Sequence, residues 1–381
     1  MSRVAVKESI LRWAVERSGL SFEHLLGKFP QIKEWTSGES QPTLRQLESL
    51  AKTTLTPLGF FFLEEPPAEP MPIPHYRTLG DRDVKAPSPD LLDTIHAMQR
   101  RQEWMRDYLT EQGADALPVV KSAQYREQPS VIADRLRKFL SIDQDWAAHH
   151  DTWAKALDDL RDRIEDTGIM VVVNGIVGNN THRKLDTDEF RGFVLVDDYA
   201  PLVFVNGTDG RAAQMFTLAH ELAHVAFGSS AAFDLRQLLP AEDDKEKACN
   251  AVAAEFLVPE AALRQFWPTV RRAQEPFQEI ARQFKVSALV AARRALDLGL
   301  ISRDAFFEFY AAYRDDERRL MAKRPSGGNF YATQNLRLSR RFATTVSRAV
   351  KEGKLLYVDA YRLTGLFGKT FDRYTASLGA W

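Results

Sequence analysis

The octapeptide Leu218-Ala219-His220-Glu221-Leu222-Ala223-His224-Val225 places two histidines four residues apart in helix-forming, mostly apolar surroundings. Four residues is just over one helical turn, so His220 and His224 project from one face and can share a single metal ion. Glu221, beside the first histidine, is near enough to a metal-held water to accept its proton rather than bind the metal. Phe216, Leu218, Ala219, Leu222, Ala223 and Val225 make this helix apolar nearly all round, as a buried helix is. Two histidines and a glutamate buried there without partners would cost roughly 2–7 kcal/mol each. A shared cation removes that cost.

The segments on either side fit a mixed α+β domain built around this helix. Ile169–Val173, Phe190–Val196 and Pro201–Asn206 are β-branched or aromatic runs bounded by turn residues, which predicts three strands ahead of the helix. An exposed edge among them could hold an extended peptide by backbone hydrogen bonds, with its scissile carbonyl over the metal. A catalytic zinc has three protein ligands plus water, and no histidine follows His224. The third ligand is therefore a downstream carboxylate or comes from the N-terminal side. Residues 246–258 read as one helix ending before Pro259. On it Glu246, Asn250, Ala253 and Leu257 form one stripe, in which small Ala253 permits close approach to the histidine helix. Glu246 is thus the expected ligand, with Asn250 as a supporting hydrogen-bond partner. Glu255, on the opposite face, is the alternative, and is otherwise a solvated carboxylate at a helix end. Cys249 reads as a small buried filler.

Phe216-Thr217-Leu218-Ala219-His220-Glu221-Leu222-Ala223-His224, followed by Glu246-Lys247-Ala248-Cys249-Asn250 and Ala253-Ala254-Glu255-Phe256-Leu257-Val258-Pro259, resembles the ImmA/IrrE family of metallopeptidases. That family keeps E-x-x-A-N-x-F-A-A-E-L-L-x-P after its H-E-x-x-H. Cys249 stands here where the pattern has Ala, and Val252 where it has Phe. The resemblance covers roughly residues 168–302 and implies a zincin-like peptidase domain. It implies zinc on His220, His224 and Glu246, with Glu221 as general base. Members are implicated in cutting transcriptional repressors under stress or during mobile-element induction, which makes a helix-turn-helix repressor the implied substrate.

Upstream, Gly19, Pro30, Gly38 and Pro42 divide residues 8–63 into four or five short helices, with Ser21 and Thr43 as N-caps. About 55 residues here resemble the helix-turn-helix of XRE (lambda-repressor-like) regulators. Only eight residues, Gly27 to Glu34, separate Leu26 from Trp35, where that family fits a turn and a recognition helix. A groove-reading helix needs polar side chains over two or three turns. Gln31, Lys33 and Thr36 are all this one offers, which favours a docking or dimerisation module over DNA binding.

Five prolines in residues 64–74 predict an extended connector. A helix over Leu91–Gln112, capped by Ser88 or Asp90, follows, its Arg100, Arg101 and Arg106 read as a solvated face. Two further helices are expected in residues 129–167. Downstream, residues 277–301 again have helix-turn-helix spacing, read as packing, and Phe342–Lys351 and Val358–Leu366 predict two short helices. Arg337, Arg340, Arg341, Arg348, Lys351 and Lys354 give the tail a basic patch, with solvated surface the default and DNA phosphate or an acidic partner the alternative. The expected division is 1–65 helix-turn-helix-like, 66–128 connector, 129–302 metallopeptidase and 303–381 a helical extension.

The 381 residues suffice for two or three domains, and a formal charge of −1 with pI near 6.7 argues against a protein that coats nucleic acid. A single cysteine excludes an internal disulfide and cysteine-rich zinc modules, and fits a reducing cytoplasm. No apolar run reaches the roughly 18 residues of a membrane span. The sequence therefore predicts a cytoplasmic zinc endopeptidase acting on a protein substrate. His182 and Tyr199 are the candidate donors for the oxyanion, and each otherwise reads as a structural residue. The rival is a regulatory DNA- or repressor-binding protein that keeps the same fold without cleavage.

Overall fold

A computed structural model describes residues 3–69, 71–73, 75–76, 87–233, 244–314 and 330–379. The chain divides into two compact units. The first holds the N-terminal residues to Pro72 and the start of a long helix up to His96; the second holds β1 (His75–Tyr76) and Ala97 to the C-terminus.

The first unit is helical: α1 (Glu8–Arg17), α2 (Phe22–Lys28), α3 (Ile32–Ser37), α4 (Leu44–Thr53) and a 3₁₀ turn, Leu58–Phe62. Ser21 accepts from the His24 N–H to cap α2, and Thr43 with Gln46 closes a reciprocal capping box on α4. Ile10, Leu11, Leu25, Ile32, Trp35, Leu47 and Leu50 form its core. With six residues, α3 makes fewer than two turns.

The long helix α5 (Pro89–Glu111) starts where the Ser88 hydroxyl accepts from the Leu91 N–H. In the second unit, α6 (Pro129–Phe139) and α7 (Trp153–Asp166) precede the strands β2 (Met170–Asn174), β3 (Ile176–Val177), β4 (Asn180–Lys184), β5 (Gly192–Leu195) and β6 (Leu202–Asn206). The motif helix α8 (Arg211–Phe227) follows, then β7 (Ala231–Phe233) and α9 (Asp244–Leu257). Next come α10 (Glu260–Val270), α11 (Pro276–Phe284), α12 (Ala288–Asp297) and α13 (Arg303–Arg314), and then helices over Phe330–Leu338, Arg340–Lys351, Tyr357–Thr364 and Gly368–Ser377.

The main sheet has the order β1-β7-β5-β6-β2, with β2 parallel to β6 and β5 antiparallel to both β6 and β7. Alternation along the strands sorts the two faces. Val171, Val173, Val194, Val203 and Val205 join Leu218 and Leu222 of α8 in one core, while Phe193 and Phe204 stack at 4.8 Å.

Among the described residues, none of the three strands predicted from sequence presents an exposed edge beside the motif helix. After α8 the chain returns as β7 and pairs with β5 from Val194↔Ala231 to Gly192↔Phe233, so β5 has a strand on each side. Of the three strands predicted from sequence, only β2 is outermost, and it is buried throughout.

The expectation of a solvated charged face on α5 changes at one residue. Arg101 is buried and donates to the carbonyls of Leu363 and Arg337 at 3.0 and 2.9 Å, fastening the C-terminal helices to α5. Charge pattern along α5 does not reveal that another element covers this face. In the tail, Arg340, Arg348, Lys351 and Lys354 are exposed, as expected of a solvated face, while half-buried Arg337 donates to Asn179 at 3.3 Å. No helix among the described residues is long and apolar enough to cross a membrane.

Candidate metal centre

The motif helix is fully buried over the two histidines and the glutamate, with His220, Glu221 and His224 each at 0% exposure. It ends at Gly228, whose φ of +76° supports a left-handed C-cap with its N–H bonded to the carbonyls of His224 and Val225. Helix α9 packs alongside and brings Glu246 to the same point. The Nε2 atoms of His220 and His224 are 3.0 Å apart, and lie 3.2 and 3.1 Å from Oε2 and Oε1 of Glu246. Ligands about 2.0–2.1 Å from a tetrahedral zinc stand roughly 3.3 Å from one another. The spacing therefore fits an ion at the centre of the three groups.

The remaining ring nitrogens are held from outside. His220 Nδ1 lies 3.1 Å from Asn250 Oδ1, one turn beyond Glu246, and His224 Nδ1 lies 3.0 Å from Ser229 Oγ. An amide oxygen can only accept, so Asn250 keeps the proton on Nδ1 of His220 and leaves the Nε2 lone pair turned inward.

Burial lowers the His220 pKa, which favours the neutral imidazole a metal requires. Burial also pushes the Glu246 carboxyl up, but the hydrogen bonds and charges of His220 and His224 outweigh it and hold it at about 2. Glu221 is raised well above the ordinary carboxylate value, by burial first and by the Glu246 charge second. Neither oxygen of Glu221 has a hydrogen-bond partner among the described residues. A poised proton acceptor needs that upward shift.

Gly192 makes room for Glu221. A Cβ there would stand 2.5 Å from Thr217 Cγ2, 2.8 Å from the Phe204 carbonyl and 3.2 Å from Glu221 Oε1. The first strand residue facing the motif helix thus has no side chain, and the carboxylate fills the space.

Residues 164–296 match the family model described as the IrrE N-terminal-like domain, Peptidase_M78. The match spans roughly a third of the chain, and it supports kinship with ImmA/IrrE metallopeptidases and a metallopeptidase domain here. Residues 338–377 match a domain of unknown function, DUF8813. No curated protein matches the chain.

Of the residues singled out from sequence, His220, His224 and Glu246 come together, with Glu221 adjacent on α8. Asn250 takes the expected supporting place. Cys249 is fully buried on α9. Glu255 is not the solvated carboxylate expected of the alternative ligand. It is 7% exposed and ion-paired with Arg294 of α12, while its other oxygen accepts from the Glu260 N–H at 3.2 Å. The helix end it occupies is covered by α12, which the spacing along α9 does not reveal. Arg294 is thereby committed to packing rather than to DNA. His182 is exposed on β4, and Tyr199 sits half-buried in the turn after β5, its N–H bonded to Asp197 at 2.9 Å. Ser229 and Gly192 went unnoticed in the sequence. A glycine inside the β5 pattern was the available signal for the second.

Proposed function

We propose that this chain is a zinc-dependent endopeptidase, with zinc held by His220, His224 and Glu246. The convergence of two imidazole nitrogens and a carboxylate around one buried point carries the reading. Two histidines and one carboxylate are the ligand set of catalytic rather than structural zinc, since they leave a fourth position open. When bound, zinc supplies Lewis acidity to a substrate carbonyl and to water.

The chain's own groups do the remainder. Glu221 accepts the proton of the attacking water and passes it to the leaving amine, a role that its raised pKa suits. Asn250 and Ser229 orient the two imidazoles. The substrate class we propose is a helix-turn-helix transcriptional repressor, as kinship with ImmA/IrrE peptidases suggests, and the helical N-terminal unit is proposed as a docking module.

Elemental analysis of wild type beside His220→Ala and Glu246→Ala tests the site. About one zinc per chain in wild type and clear loss in both variants is expected. Properly folded wild type that takes up no metal when zinc is supplied overturns the reading. Cleavage is tested by intact-mass analysis of helix-turn-helix repressors incubated with wild type and Glu221→Gln. Fragments only with wild type support the peptidase; regulatory function retained in Glu221→Gln supports the non-proteolytic rival.

A further inference from the structure

The end of the motif helix is held by a stretch that lies outside the family match and inside residues 66–128, expected only to connect domains. Lys121 donates its backbone N–H to the Val225 carbonyl at 3.2 Å, and Ala123 does the same to Ala226 at 3.0 Å. Both are carbonyls of the last helical turn, that of Val225 being shared with the Gly228 cap. The fit is close on both sides. Gly228 has φ +76°, and a Cβ there would collide with the Lys121 side chain. Lys121 itself has φ +58°, uncommon for a residue with a side chain, and a conformation that persists only where surrounding contacts enforce it. Its ammonium reaches Asp198 at 2.7 Å.

The same stretch touches the metal centre. Tyr125 stacks on Phe227 at a centroid distance of 4.3 Å and places its hydroxyl 3.2 Å from Ser229 Oγ, which lies 3.0 Å from His224 Nδ1. Ser229 also donates its N–H to the His224 carbonyl at 3.1 Å, so residue and ring are fixed together. A serine hydroxyl, unlike the Asn250 oxygen, can either donate to an imidazole nitrogen or accept from one. Tyr125 donates its hydroxyl to Ser229 Oγ, and the second lone pair of that oxygen remains to accept from Nδ1–H of His224. That tautomer keeps the Nε2 lone pair for the ion.

We infer that Ser229 and Tyr125 are positioning residues for His224, and that the strap from Leu117 to Tyr125 is a working part of the metal centre. The inference rests on the zinc site proposed above. Its test is the zinc dissociation constant, measured by competition with a chromogenic chelator on the full chain, together with thermal unfolding of the metal-free protein. Ser229→Ala should weaken zinc binding about tenfold to a hundredfold, the range for loss of a ligand's outer partner. Ser229→Thr, which keeps the hydroxyl, should restore it, and Tyr125→Phe should weaken it by a smaller factor. The metal-free unfolding midpoint should stay at the wild-type value in all three. Wild-type zinc affinity in Ser229→Ala overturns the inference, as does a fall in affinity that only accompanies a lower metal-free midpoint. Should Ser229→Ala fail to fold, Tyr125→Phe decides alone, and unchanged affinity there overturns the inference. Wild type that binds no zinc overturns the zinc site instead.

Discussion

Helix α9 carries two buried glutamates nine residues apart, and they face opposite partners. Glu246 meets the imidazoles of His220 and His224; Glu255 meets the guanidinium of Arg294. Both carboxylates are desolvated, 5% and 7% exposed. Arginine carries a permanent charge and five donors, so the Glu255 pair is complete within the protein, helped by Arg137 bonding the carbonyls of Glu255 and Phe256 at 3.0 Å. Burial lowers the His220 pKa, and the two imidazoles and the carboxylate turn their ring nitrogens and oxygens to one point. One end of the helix is closed on itself, and the other brings its carboxylate together with two imidazoles in an arrangement that could hold a cation.

Substitutions can break that contrast. The largest effect expected is on turnover, where Glu221→Gln should lower kcat by about 10²–10⁴-fold while zinc content stays at the wild-type level. Equal turnover in that variant would remove Glu221 from the chemistry. Glu255→Gln should act on folding alone. Leaving Arg294 buried without its counter-charge costs about 3–5 kcal/mol in a denaturant titration, with zinc stoichiometry unchanged in the folded fraction. Loss of zinc from folded Glu255→Gln would mean that the two ends of α9 are not separate in function.

Gly192→Ala sharpens the metal side of the comparison. Its added methyl meets the backbone carbonyl of Phe204 as well as Glu221, so about 1–3 kcal/mol of overpacking is expected, together with displacement of the carboxylate. Activity should fall further than that of a core variant of equal instability distant from Glu221, and equal loss in the two would reduce Gly192 to packing.

A fourth buried carboxylate, Glu165 on α7, gives the smallest and most pH-specific expectation. Burial raises its pKa, opposed by a hydrogen bond with Ser339 and by the Arg161 charge. A carboxyl with a raised folded-state pKa favours the fold at low pH and loses that contribution as pH rises through the raised value. Glu165→Gln should therefore flatten the decline in unfolding midpoint on the alkaline side of the ordinary carboxylate range. An unchanged slope would assign the decline to other groups.

Local spacing carried much of this in advance. The four-residue interval placed His220 and His224 on one face, and the stripe on α9 separated Glu246 from Glu255, because helical periodicity alone orients those side chains. Ser21 and Thr43 were readable as caps, since a cap acts within three residues of itself. The predicted strands over residues 169–206 were also found, and β-branched runs between turn residues have few other uses.

The sequence determines the spacing of His220 and His224 and puts Glu246, not Glu255, on the α9 stripe shared with Asn250 and Ala253. Tertiary structure alone decided that Arg294 and Arg101 are buried, that β7 fills the side of β5, and that Ser229 and Tyr125 reach His224. Each of those contacts joins elements whose mutual placement depends on packing of the whole unit. The physical reason is one of range: capping and periodicity are set by neighbours a few residues away, whereas Tyr125 and Ser229 lie 104 residues apart and meet only once α8 has been buried.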